Sequence, residues 1–203
     1  MSGAEPLRFV PTLPAEELGR AHFYALIARL FYAPPDAALL ERLAHAEPLQ
    51  AESGDIASAW QALCRAAAAA EPEAVREEYD AAFIGTGKAP VTLYTCAYTI
   101  QYSNEAPLAE LRGELAAFGL ARRDGAFEPE DHIAALCDTM RHLIAEQKRA
   151  LPEQRRFFQR WIGPAYARLC DAIDRAPNIV FYKSVARFAN AFLTLEQLAF
   201  EML

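Results

Sequence analysis

Apolar residues recur along this chain at helical spacing. A segment opened by Glu16 and Glu17 is apolar on nearly every side from Ala21 to Tyr32, the pattern of a central buried helix. Pro34-Pro35 ends it. Asp36 is placed to cap a short helix carrying Leu39, Leu40 and Leu43. Asp55 is placed to cap the next, which runs through Ile56, Ala59, Trp60 and Leu63 into Ala66–Ala70; alanines favour helix and let neighbouring helices approach closely. Pro72 starts another, with Val75, Tyr79, Ala82 and Phe83 on one face.

The periodicity fails at Gly85-Thr86-Gly87-Lys88-Ala89-Pro90. Val91 to Tyr102 is rich in threonine and tyrosine, but it has no evident partner strand, and a lone strand is unstable. It reads as an ordered aromatic loop leading to a helix capped near Ser103 or Asn104. That helix carries Leu108, Leu111, Leu115 and Phe118, with Gly119 closing it. After a loop over 121–128, the stripe Ile133, Leu136, Cys137, Met140, Leu143 and Ile144 marks a further helix. Pro152 restarts the chain before the aromatic group Phe157, Phe158, Trp161 and Ile162. Stripes from Tyr166 to Ile173 and from Phe181 to Leu193 complete it, separated by Ala176-Pro177-Asn178. The prediction is an all-α fold of about nine to eleven helices in a single domain over 15–203, after an irregular lead-in over 1–14.

Composition narrows the function classes. A hydrophobic share of 53% over 203 residues supports a substantial core. A net charge of -7 and the lack of a long basic block argue against nucleic-acid binding. The four cysteines, Cys64, Cys96, Cys137 and Cys170, are widely separated and form no C-x-x-C, so neither a zinc site nor a disulfide scaffold is expected. No segment reads as a targeting signal or as the roughly 20 apolar residues of a membrane span, so no stable membrane insertion is expected. The expected location is the cytoplasm.

Candidate chemistry centres on Glu128-Pro129-Glu130-Asp131-His132-Ile133. Pro129 suits the first position of a helix, with Glu130 and Asp131 in its first turn and His132 in the next. Such a cluster can be a helix start, a binding site or an acid–base pair. As a start signal it would include a staple-like contact of Phe127 on His132. Nothing resembling G-x-S-x-G supplies a nucleophile, and no second histidine sits at metal spacing. Gly85-Thr86-Gly87-Lys88 is not a phosphate-binding loop, because Ala82 and Ala89 occupy positions that need glycine and Ser or Thr. Tyr79, Phe83, Tyr94, Tyr98 and Tyr102 can pack in the core or line a groove. With carboxylates at its rim, such a groove would suit an apolar peptide bearing arginines.

Taken together, Phe83-Ile84-Gly85, Tyr94, Tyr98, Glu128–Ile133, Phe157-Phe158-x2-Trp161 and Phe181-Tyr182 resemble the TorD/DmsD family, to which the nitrate reductase assembly protein NarJ is related. The resemblance runs from about residue 20 to the C-terminus. It implies an all-helical cytoplasmic chaperone with no catalysis and no cofactor of its own. The implied partner is the precursor of a molybdopterin oxidoreductase catalytic subunit. It is bound by its leader, often a twin-arginine signal peptide, or by its N-terminal region until its cofactor is inserted. Tyr79, Phe83, Tyr94, Pro129, Asp131 and His132 fall on positions that family members use for the leader or the adjacent pocket. Cys96, Tyr98 and Glu130 complete the expected client-binding set.

Three departures bear on the loop and on the client. Thr86 follows Gly85 where the family commonly has proline, Thr92-Leu93 replaces a Pro-Pro pair, and Cys96 stands at a common serine position. Some members bind a client that lacks a twin-arginine leader. Monomer and domain-swapped homodimer both remain open, and no nucleotide binding is expected without a P-loop. The rival readings are a small helical hydrolase using Asp131-His132 and a helical transcriptional regulator.

Overall fold

The apolar stretch Ala21–Tyr32 becomes the central helix. A computed structural model describes residues 13–49, 54–85, 89–100, 106–122 and 128–203. Among these, ten α-helices and two π-helical turns carry the fold, and the only extended pairing is one isolated bridge. Helix α1 (Ala15–Tyr32) buries Tyr24, Ile27, Leu30 and Phe31 and packs chiefly along α7 (Ile133–Ala145). Helix α2 (Ala37–Ala44) rests on α3 (Asp55–Ala68), and α10 (Phe181–Glu201) lies against α3 and α9 (Tyr166–Arg175). Aromatic side chains join these layers: Phe23 meets Trp60, Phe188 and Phe192, and Tyr24 meets Phe192 edge-on at 4.9 Å. Edge-on and tilted rings fill such contacts without leaving gaps.

Local signals account for most helix ends. Asp36 accepts the Leu39 N–H at 2.8 Å and caps α2. Gly119, at φ 74°, closes α6 (Pro107–Ala117): Leu120 N donates to Leu115 O and Gly119 N to Ala116 O, a Schellman-type ending. Helix α3 begins at Asp55 itself, with Gly54 in the cap position, so Asp55 serves the first turn and not the cap. Helix α6 begins at Pro107 behind Ala106; Ser103 and Asn104, the expected caps, lie outside the described residues.

Two helices end in π turns. Helix α4 (Pro72–Tyr79) runs into Asp80–Ile84, closed by Gly85 N to Asp80 O at 2.7 Å. Gly85 sits at φ 61°, a conformation that glycine enters without a Cβ penalty. Helix α8 (Leu151–Phe157) runs into Phe158–Ile162 in the same way. A π turn inserts one residue into the helical register. Tyr79, Ala82 and Phe83 are all buried, as the apolar stripe requires.

The largest correction concerns residues 129–132. The helix starts at Ile133, not at Pro129. Pro129 to His132 form a turn, with His132 N bonded to Pro129 O at 3.2 Å, and His132 is extended at φ -61° and ψ 130°. The reason is competition for backbone groups. Residues 131–133 pair antiparallel with 93–95: Thr95 N donates to Asp131 O at 2.9 Å, and Ile133 N to Leu93 O at 2.9 Å. The partner that Val91–Tyr102 lacked in sequence is the motif itself. A four-residue helix α5 (Cys96–Thr99) follows the pairing.

Candidate functional site

The Tyr94–His132 bridge sets the geometry of the site. It places the Tyr94 ring edge-on to the His132 imidazole, 5.5 Å between centroids. His132 caps α7, its Nδ1 accepting the Ala134 N–H at 3.2 Å. That duty needs a neutral imidazole, and burial lowers the His132 pKa against the opposing pull of Glu128 and Asp131. Asp131 accepts the Cys96 N–H on Oδ2 at 3.2 Å, while its main-chain oxygen also receives the Thr95 hydroxyl at 3.2 Å. Exposures of 3% for Asp131 and 6% for His132 put both inside the wall of the site.

Around this pair the predicted residues divide. Pro129 is half-buried at the turn. Glu130 points to α6 and accepts Arg112 Nε at 3.0 Å; that bond holds its carboxyl below the usual range. The Tyr94 hydroxyl donates to the Glu128 carboxylate. Burial and that bond push the Tyr94 phenol up to about 12. The Cys96 thiol is buried, and burial with the nearby Asp131 carboxylate pushes it up to about 12, far from a reactive thiolate. Tyr98 is turned elsewhere: its hydroxyl donates to Thr92 O at 2.8 Å, and its carbonyl accepts Arg168 of α9 at 2.7 Å. Tyr102, Phe127 and the run Thr86-Gly87-Lys88 lie outside the described residues.

Tyr79 and Phe83 meet edge-on at 5.1 Å, and both rings meet Tyr182 of α10, at 5.6 and 5.0 Å. The Tyr79 hydroxyl donates to the carbonyls of Phe31 and Tyr32, which are orphaned where α1 ends. The Tyr182 hydroxyl does the same for Leu30 O at 3.1 Å. Burial, then the charge of Glu128, pushes the Tyr79 phenol up to about 12. Tyr79, Tyr94, Glu128 and His132 therefore share one electrostatic neighbourhood.

The Asp131 carboxylate and the His132 Nδ1 are each committed to a backbone N–H. Among the described residues, no three or more His, Cys, Asp or Glu side chains form a metal-holding group.

A profile of the nitrate reductase delta subunit family matches residues 49–171. The chain belongs to the nitrate reductase delta subunit family. This bears out the resemblance carried by Phe83-Ile84-Gly85 and the 128–133 motif. The match takes in the π turn at 80–84, the bridge and α7, but stops before α10. A chaperone protein TorD from Photobacterium profundum is 28% identical over 129 residues, which are 56% of this chain and 58% of TorD. The chain thus aligns with little more than half of that relative's length. A solved structure described as a redox enzyme maturation protein, from Archaeoglobus fulgidus, superposes with a TM-score of 0.56 at 18% identity. It covers 96% of this chain and 99% of its own, and supports the all-helical fold of this family member.

Sequence reasoning missed several residues around the site. Glu78 accepts the N–H groups of Val180, Phe181 and Tyr182 at 3.0, 3.1 and 2.7 Å, capping α10 from another helix. Tyr32, Ile84 and Val180 stand exposed beside the aromatic cluster, at 67%, 58% and 77%. Ile84 lies within the quoted motif Phe83-Ile84-Gly85 and could have been found there. Tyr32 and Val180 gave no signal, because only the fold brings the end of α1 to the start of α10.

Proposed function

We propose that this chain is a cytoplasmic maturation chaperone. It binds the leader peptide or N-terminal region of a molybdopterin oxidoreductase catalytic subunit and holds the precursor until its cofactor is inserted. Family membership supports the reading, as does the name of the TorD relative. No described helix is long and apolar enough to cross a membrane.

The observation that carries the proposal is the apolar surface of Tyr32, Ile84 and Val180. The Tyr32 carbonyl is held by Tyr79, the Val180 N–H by Glu78, and Ile84 follows Phe83 directly, so the three surround one aromatic floor. Exposed carboxylates lie beside it at Asp80 and Glu128. Apolar surface rimmed by acids suits a peptide with an apolar stretch and arginines, the composition of a twin-arginine leader. In this reading Tyr32, Ile84 and Val180 contact the apolar stretch and Glu128 meets an arginine. Tyr79, Phe83, Tyr94, Pro129, Glu130, Asp131 and His132 shape and polarise the wall, and Cys96 and Tyr98 hold the loop behind it.

Isothermal titration against leader peptides of molybdopterin oxidoreductase subunits tests this. The cognate leader binds the wild type, and Ile84→Asp with Val180→Asp weakens it by about tenfold or more. Asp131→Ala and His132→Ala weaken it by disturbing the wall. Unchanged affinity in all four variants would refute the site. Binding also weakens with added salt, because guanidinium–carboxylate pairs at an exposed rim are screened.

A further inference from the structure

A shallow, arginine-lined hollow lies along α8 and the π turn that follows it. Pro152, Arg155, Arg156, Gln159 and Arg160 line about 500 Å³ of open space there, in a chain whose net charge is -7. The neighbouring α6 shows what the hollow binds. Glu110 and Glu114, one helical turn apart, face Arg160 and Arg156, also one turn apart: Glu110 pairs with Arg160, and Arg156 Nε lies 3.8 Å from Glu114 Oε1. Trp161 Nε1 donates to the other Glu114 oxygen at 2.7 Å, and the Arg160 guanidinium covers the Trp161 ring at 5.2 Å. Glu114 Oε1 itself is buried and receives no hydrogen bond from the described residues. Arg155 has no acidic partner among the described residues.

We propose that this hollow is a second docking site, for an acidic segment of a partner protein. Its surface already pairs guanidiniums with helical carboxylates, a match that planar, forked donors favour. One guanidinium is left over. Arg155 is the charge unpaired among the described residues, and Arg156 and Arg160 hold Glu114 and Glu110 through ion pairs whose guanidiniums are more than half exposed. An acidic segment therefore adds a carboxylate at Arg155 and competes for the other two over roughly 7 Å of helix, wider than one phosphate group. The net charge of the chain opposes long-range steering of such a segment, so the hollow acts through close pairing. This surface is separate from the leader site, and its test does not depend on that reading.

The probe is a fluorescently labelled oligoglutamate peptide, followed by anisotropy against the full chain. Saturable binding is expected, weakened about tenfold by Arg155→Glu, the loss of one charge-assisted pair. Arg155→Glu should leave circular dichroism and the urea midpoint unchanged, since Arg155 braces no other described group. In a Trp60→Phe background, the Trp161 emission should shift as Arg160 leaves its ring. No saturable binding, or equal binding by Arg155→Glu, overturns the proposal. Tighter binding of pyrophosphate than of oligoglutamate overturns it in favour of a phosphate site.

Discussion

Arg20 and Glu196, 176 residues apart in sequence, close a two-armed salt bridge between α1 and α10: Nε to Oε1 and Nη2 to Oε2, both at 2.7 Å. Tyr24 donates to the same carboxylate at 2.9 Å, and Glu196 is buried. A buried pair of this kind adds little over a well-packed apolar replacement, but half of it is damaging. Glu196→Ala leaves the Arg20 guanidinium with Glu17 alone, at 2.8 Å, and orphans the Tyr24 hydroxyl, so it should lower unfolding free energy by about 2–3 kcal/mol. Urea denaturation measures this. The double variant Arg20→Met with Glu196→Leu should regain most of the loss; equal destabilisation in both would show that packing, not charge, dominates there.

His132 makes stability depend on pH. Its folded pKa lies below the unfolded value near 6.5, because burial disfavours the imidazolium. The unfolded state therefore binds more protons as pH falls below about 6.5. Stability is full above that value and declines toward the folded pKa, at up to about 1.4 kcal/mol per pH unit. Protonation also removes the Nδ1 acceptor that caps α7. His132→Asn keeps a capping oxygen without a titrating group. The difference in urea midpoint between pH 7.5 and 5.5 should shrink in this variant, and an unchanged difference would assign the pH response to another group.

The same residue marks the boundary of what the sequence could reveal. Apolar stripes on α1, α7 and α10 were legible because helical burial repeats every few residues and depends only on near neighbours. The start of α7 was not. Pro129, Glu130 and Asp131 satisfy every local rule for a helical first turn, yet the bridge to Leu93–Thr95 takes the Asp131 carbonyl and the Ile133 N–H that such a turn would use. A competing partner that distant leaves no trace in local spacing. Tyr79, Tyr94 and His132 could be singled out for a different reason, because they stood in motif positions, whereas Tyr32 and Val180 are brought beside them only by packing.

Glu78 is predicted to matter to α10 more than to its own helix. Glu78→Ala orphans three N–H groups at the α10 N-terminus and should lower stability by about 1–2 kcal/mol, as the loss of a strong cap does. Amide hydrogen exchange is the sharper measure. Faster exchange should be confined to Val180, Phe181 and Tyr182 and the turn they open, and uniform acceleration across the chain would contradict a capping role.

Support and contact should separate within the aromatic region. Tyr79→Phe keeps the ring but loses the hydroxyl that serves two carbonyls, lowering stability by about 1 kcal/mol. Ile84→Ser alters an exposed side chain and should stay within about 0.5 kcal/mol of wild type. In leader titrations the order reverses: Ile84→Ser loses affinity and Tyr79→Phe largely keeps it. Paired denaturation and titration of both variants check this, and the same ranking in both assays would sink the division of roles.

The bridge also carries a consequence for biosynthesis. Thr95 and Asp131, which share its hydrogen bonds, are 36 residues apart. A ribosome that has delivered Tyr79, Tyr94 and Tyr98 has yet to deliver Asp131–Ile133, which pair with Leu93–Thr95, and Val180–Tyr182, which close on Glu78, Tyr79 and Phe83. A growing chain of this protein therefore assembles this region late, and only once the start of α10 has followed the bridge.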